Sequence, residues 1–96
     1  MNIIRIKQLA SPVCEKHGIS RASLFGSTAR GDSNNESDID ILISPAAGTT
    51  LFDMVDIKND LEAVLKKSVD LVTYNSIDPL LKNQILKEQK IFYEKR

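Results

Sequence analysis

Apolar residues at Ile3, Ile6, Leu9 or Ala10, Val13 and Cys14 recur at helical spacing through residues 2–17, and Gly18 supplies a C-terminal stop. Pro12 interrupts this run, so that either the helix kinks there or Ser11 caps a second helical piece opening at Pro12. His17 reads as a favourable cation at the helix's negative end and Cys14 as a core residue. Arg21-Ala22-Ser23-Leu24-Phe25 is a short strand that stops at Gly26-Ser27, and a single helical turn from Ser27 to Arg30 follows, closed by Gly31. Asp32 to Glu36 is polar and aperiodic, hence loop, after which Asp38 to Ile43 reads as a strand by its β-branched content, ended by Ser44-Pro45. Thr50 and Asp53 form a capping-box pattern, and Leu51, Val55, Lys58, Leu61 and Leu65 then run down one face of a helix to about Lys66, with Lys66 and Lys67 suited to its negative end. Val69 to Thr73 is a third strand. Asp78-Pro79 caps and opens a helix through about Lys87, and Ile91-Phe92-Tyr93 forms a last short strand.

The resulting order, α-β-(short α)-β-α-β-α-β, predicts an α/β (α+β) sandwich in which helices flank a small mixed β-sheet. With 96 residues, 42% hydrophobic and 27% charged, residues 1–96 make a single domain with one core and no room for a separate recognition module. The lone Cys14 excludes an internal disulfide and a cysteine-based zinc cluster. No apolar run approaches the ~20 residues that span a bilayer, and the N-terminus opens no signal-peptide pattern. The expectation is a soluble cytoplasmic protein with no membrane partner.

Thirteen Lys and Arg balance thirteen Asp and Glu, so the chain lacks the basic excess that drives binding to a phosphate backbone, and no independent DNA or RNA binding is expected. The balance hides a pattern. Residues 32–62 carry eight acids and one base, a net of −7, with positive charge gathered towards both ends of the chain. The 53–62 part reads equally well as a solvated acidic helix face.

Aspartate is depleted in strands, yet Asp38, Asp40 and Asp70 lie in the most strand-like runs. Alternation sends Ile39, Ile41 and Ile43 to one face and Asp38 with Asp40 to the other. Carboxylates that close repel one another unless a cation lies between them, and a hard, oxygen-preferring ion such as Mg²⁺ suits the place. If its strand lies alongside, Asp70 adds a third carboxylate, the set that a two-metal phosphoryl- or nucleotidyl-transfer site requires. Gly26-Ser27, between strand and helical turn, offers backbone N–H groups, a hydroxyl and close approach for phosphate oxygens.

These residues resemble the DNA polymerase β-like nucleotidyltransferases, whose pattern is Gly-Ser on a turn followed about ten residues later by Asp-x-Asp. The fuller run, Gly26-Ser27-Thr28-Ala29-Arg30-Gly31 with Ser37-Asp38-Ile39-Asp40-Ile41-Leu42, is similar to the minimal nucleotidyltransferases (MNT), the antitoxin partners of HEPN-domain toxins. The likeness extends to Val69-Asp70-Leu71-Val72 and the closing Lys90-Ile91-Phe92-Tyr93; Lys67-Ser68 departs from it where relatives often have Gly. The resemblance implies that Asp38 and Asp40 bind two Mg²⁺ ions, that Asp70 completes one site and takes the attacking proton, and that Gly26 and Ser27 hold the triphosphate of ATP. Arg30 either contacts phosphate or acceptor, or pairs with a nearby acid and orders the loop. Ser37 shapes the turn into the strand.

The activity so implied is transfer of AMP from ATP to a tyrosine of a cognate HEPN ribonuclease toxin, which silences it. Two other readings stand beside it: a non-catalytic antitoxin that neutralises the toxin by direct binding, its acidic stretch covering a basic face, and nucleotidyl transfer to a small-molecule acceptor. The chain's own Tyr74 and Tyr93 read as packing or edge residues.

Overall fold

Asn2 begins the first helix, its side chain accepting a hydrogen bond from the Arg5 backbone N–H at 2.9 Å. The structure, a computed structural model, describes residues 2–31 and 38–95. Its elements are α1 (Ile3–Lys16), β1 (Arg21–Leu24), α2 (Gly26–Arg30), β2 (Ile39–Ser44), α3 (Leu51–Leu65), β3 (Val69–Thr73), a 3₁₀ turn (Tyr74–Ser76), α4 (Pro79–Glu88) and β4 (Lys90–Glu94). The expected loop Asp32 to Glu36 and Ser37 lie outside the described residues.

The sheet order is β3-β2-β1-β4, with β2 and β3 parallel and the other pairs antiparallel. This is the mixed sheet expected from the element order. The parallel pair needs a crossover connection, and α3 provides it. Ile39, Ile41 and Ile43 of β2, Ala22 and Leu24 of β1, and Val69 of β3 pack under α1 and α3, joined by Ile6, Ala10, Val13, Cys14, Ile57, Leu61 and Leu65.

Pro12 does not divide the first helix, and Ser11 caps nothing: α1 runs unbroken through both, and the buried Ser11 hydroxyl has no hydrogen-bond partner among the described residues. Burial of Ala10, Val13 and Cys14 on either side of the proline holds the helix together despite the missing donor. In α3 the capping box forms as expected, with Asp53 N–H donating to Thr50 Oγ1 at 3.2 Å and Thr50 N–H to Asp53 Oδ2 at 2.9 Å. Its buried face matches the expected one at Leu61 and Leu65 only. Ile57, Leu61 and Leu65 are buried, whereas Leu51 is 84% exposed and Val55 55%. Apolar residues surround the first turns of α3, so periodicity alone could not select the inward face. The helix ends with Lys66 at φ +59°, a left-handed residue immediately before Lys67-Ser68, and Glu62 Oε2 accepts from the Val69 N–H at 2.8 Å to close the turn into β3.

Candidate active site

Period-two alternation that buries Ile39, Ile41 and Ile43 turns Asp40 to the opposite face of the sheet. The parallel register sets Asp40 beside Asp70 on that face, and both stand near the start of their strands. Asp38 precedes β2 by one residue and is exposed. Asp40 and Asp70 are thus brought together, while the full trio does not converge: among the described residues no three His, Cys, Asp or Glu side chains gather around one point.

The Gly-Ser turn reaches Asp40 from β1. Phe25 N–H donates to the Asp40 carbonyl at 3.1 Å, drawing the start of α2 against β2. Gly26 then takes φ +58°, and a Cβ at this position would lie 3.0 Å from Asp40 Oδ2. The left-handed backbone favours glycine here, and an added Cβ would crowd the Asp40 carboxylate. Ser27 Oγ donates to Asp40 Oδ2 at a long 3.4 Å, and Thr28 Oγ1 donates to the same oxygen at 3.2 Å. Burial raises the Asp40 carboxyl above its usual range and the negative charge of Asp70 adds to this, while the hydrogen bonds from Thr28 and Ser27 oppose it.

Arg30 extends from the end of α2 to α4, where its Nη1 lies 3.3 Å from Glu88 Oε2. Gly26, Arg30, Leu81, Gln84, Ile85 and Glu88 border a groove of about 180 Å³ between the two helices. Tyr74 packs as expected: its hydroxyl donates to Gln89 Oε1 at 2.6 Å and meets the fully buried Ser23 Oγ at 2.9 Å. Two participants escaped the sequence reading. Thr28 touches Asp40 and Glu88 touches Arg30 across 12 and 58 residues of chain, and only the fold brings such residues together.

A metal fits this donor set. Mg²⁺ takes one or two carboxylates and completes its shell with water and phosphate oxygens, so the Asp40–Asp70 pair, with Asp38 at the strand entry, suffices without a closed protein cage.

The polymerase beta nucleotidyltransferase model matches residues 7–96. The chain belongs to this family. It is 53% identical over 88 residues to a Methanocaldococcus jannaschii protein provisionally named a protein adenylyltransferase, covering 92% of this chain and 95% of that one. Among solved structures, one described as a minimal nucleotidyltransferase superposes with a TM-score of 0.80 at 33% identity, covering 94% of this chain and 95% of the other. A chain from the complex of a tri-AMPylated Shewanella oneidensis HEPN toxin with its MNT antitoxin shares the fold, with a TM-score of 0.73 at 20% identity over 98% of this chain and 74% of that one.

Proposed function

We propose that this chain is a Mg²⁺-dependent protein adenylyltransferase, an antitoxin that transfers AMP from ATP to a tyrosine hydroxyl of a HEPN ribonuclease toxin and thereby silences it. The observation that carries the reading is the in-register pairing of Asp40 with Asp70 beside a glycine held 3.0 Å, by its would-be Cβ, from the Asp40 carboxylate. The name of the M. jannaschii relative supports the activity, and the S. oneidensis complex motivates the partner.

In this reading Asp38, Asp40 and Asp70 would hold the metal, and Gly26 and Ser27 would receive the triphosphate. When bound, Mg²⁺ supplies positive charge that stabilises the phosphoryl oxygens in the transition state and favours the ionised attacking hydroxyl. Gly26 exposes backbone to the phosphates because no side chain stands in the way. The Ser27 hydroxyl, only loosely engaged with Asp40, turns readily to a phosphate oxygen. Asp70, exposed on the same face, accepts the phenolic proton as the tyrosine oxygen bonds to the α-phosphorus. The bond from that phosphorus to the bridging oxygen breaks, and pyrophosphate leaves with the electron pair. Arg30 orders the edge between α2 and α4 through Glu88.

A masking role is favoured by a separate observation: Leu51, Phe52 and Val55 of α3 are exposed beside Asp53 and Asp56, a face suited to docking. Intact mass of a cognate HEPN protein, after incubation with this chain, Mg²⁺ and ATP, separates the two. Gain of one or more AMP units with wild type, and none with Asp38→Asn/Asp40→Asn although the complex still forms, is the expected result. An unmodified partner in a stable complex would remove the catalytic reading and leave masking.

A further inference from the structure

Thr28 lies at the centre of the five-residue α2 and engages Asp40 twice. Its Oγ1 accepts a hydrogen bond from the Asp40 backbone N–H at 3.0 Å and donates to Asp40 Oδ2 at 3.2 Å. A hydroxyl has one proton to give and two lone pairs, so both bonds coexist. The first fixes the threonine relative to the β2 backbone, and the second fixes the carboxylate relative to the threonine. Ser27 donates to the same oxygen at 3.4 Å with no second anchor to Asp40 among the described contacts. Helix propensity does not account for threonine at this position, since β-branched residues are mediocre helix formers.

We propose that Thr28 is the positioning residue for Asp40, locking the carboxylate in the orientation that receives a divalent cation and keeping its hold on Oδ2 when Ser27 turns away to bind phosphate. The inference rests on the metal-holding role proposed for Asp40. A half-buried aspartate has several rotamers, and a cation bound by few protein ligands loses affinity when one of them wanders. The two hydroxyls therefore divide the work: Thr28 remains with the carboxylate throughout, and Ser27 exchanges partners. Outer partners of ligating carboxylates typically contribute about 10–100-fold to metal affinity.

The test measures Mn²⁺ affinity of the nucleotide-free protein by electron paramagnetic resonance, alongside thermal unfolding in chelator, for wild type, Thr28→Val, Thr28→Ala, Thr28→Ser and Asp40→Asn. Thr28→Val keeps the branched shape without the hydroxyl, Thr28→Ala removes both, and Thr28→Ser restores the hydroxyl. The expected result is Mn²⁺ affinity reduced about tenfold or more in the valine and alanine variants and returned to within about threefold of wild type by serine, among variants that remain folded at the assay temperature. Unchanged affinity in a folded valine or alanine variant, while Asp40→Asn loses binding, would overturn the positioning role and leave the role of Asp40 standing. Equal affinity in wild type and Asp40→Asn would overturn both. A lower unfolding temperature with unaltered Mn²⁺ affinity would reduce Thr28 to a structural residue.

Discussion

Asp40 and Asp70 stand side by side on a parallel strand pair, one half-buried and the other exposed. Burial, reinforced by the neighbouring charge, raises the Asp40 carboxyl above its ordinary value of 3.8. The folded protein therefore binds this proton more tightly than the unfolded chain does. The stability contributed by Asp40 is full below 3.8 and is lost as pH rises through the higher folded value.

Asp40→Asn removes that loss. In chelator at neutral pH the variant is expected to unfold at a higher temperature than wild type, with the difference fading in acid below 3.8. Added Mg²⁺ should raise the wild-type transition and leave the variant unmoved, and AMP transfer by the variant should fall to background. Equal Mg²⁺ stabilisation of both proteins, measured by differential scanning calorimetry, would place the metal elsewhere.

Gly26→Ala meets two penalties. Left-handed backbone costs an L-residue about 1–2 kcal/mol, and the new Cβ would press on Asp40 Oδ2 at 3.0 Å. Gly48, at φ +83° with open space around it, isolates the backbone component. Gly48→Ala should lose about 1–2 kcal/mol in urea unfolding and Gly26→Ala at least as much, and only Gly26→Ala should lose AMP transfer when assayed well below its transition. Full activity in a folded Gly26→Ala protein would contradict the close-approach account.

The two faces of α3 predict opposite mutational costs. Leu61 is fully buried among core residues and Phe52 is 83% exposed. Leu61→Ala should cost about 2–5 kcal/mol, and Phe52→Ala should stay within about 0.5 kcal/mol for the isolated chain. Chemical denaturation of both variants checks this. A large loss for Phe52→Ala would show that the start of α3 is covered in solution.

The same helix illustrates what could be read from sequence. Val69 to Thr73, the Thr50 capping box and the Asp78-Pro79 helix start were legible because each signal is local: β-branched content, a side chain three residues from its partner, a proline where no N–H is needed. The inward face of α3 was legible only at its second half, in Leu61 and Leu65, since Leu51, Phe52 and Val55 are as apolar as the residues that pack, and only the position of the sheet distinguishes them. Asp38-x-Asp40 stood out because carboxylates are rare in strands, whereas the place of Asp70 depended on strand order, and the parallel β2–β3 pairing puts it beside Asp40. Thr28 was invisible as a participant, because its value lies in a contact with Asp40 across a turn whose geometry Gly26 determines. The alternative of a second helical piece capped by Ser11 failed for a related reason: tertiary burial of Ala10, Val13 and Cys14 carries α1 through a local helix breaker.

Asp60 joins α1 to α3 across 43 residues of chain, accepting His17 Nε2 at 2.8 Å and Lys16 Nζ at 3.1 Å. His17, read from sequence only as a dipole partner at the end of its helix, has this second attachment. The hydrogen bond from His17, followed by that from Lys16, holds the Asp60 carboxyl below its ordinary 3.8. For a lowered carboxylate the sign is opposite to that of Asp40: its stabilisation is present above 3.8 and is lost as pH falls through the lower folded value. Asp60→Asn should therefore flatten the acid side of the stability profile while changing neutral-pH stability little, since exposed pairs contribute weakly. Part of the acid sensitivity should persist, because Asp53 is lowered in the same direction by its bonds to Thr50. Unfolding temperatures of wild type and Asp60→Asn, measured from neutral pH down to the onset of acid unfolding, test this. Parallel curves would mean that the His17–Asp60 contact ties the helices together no more strongly than solvent would.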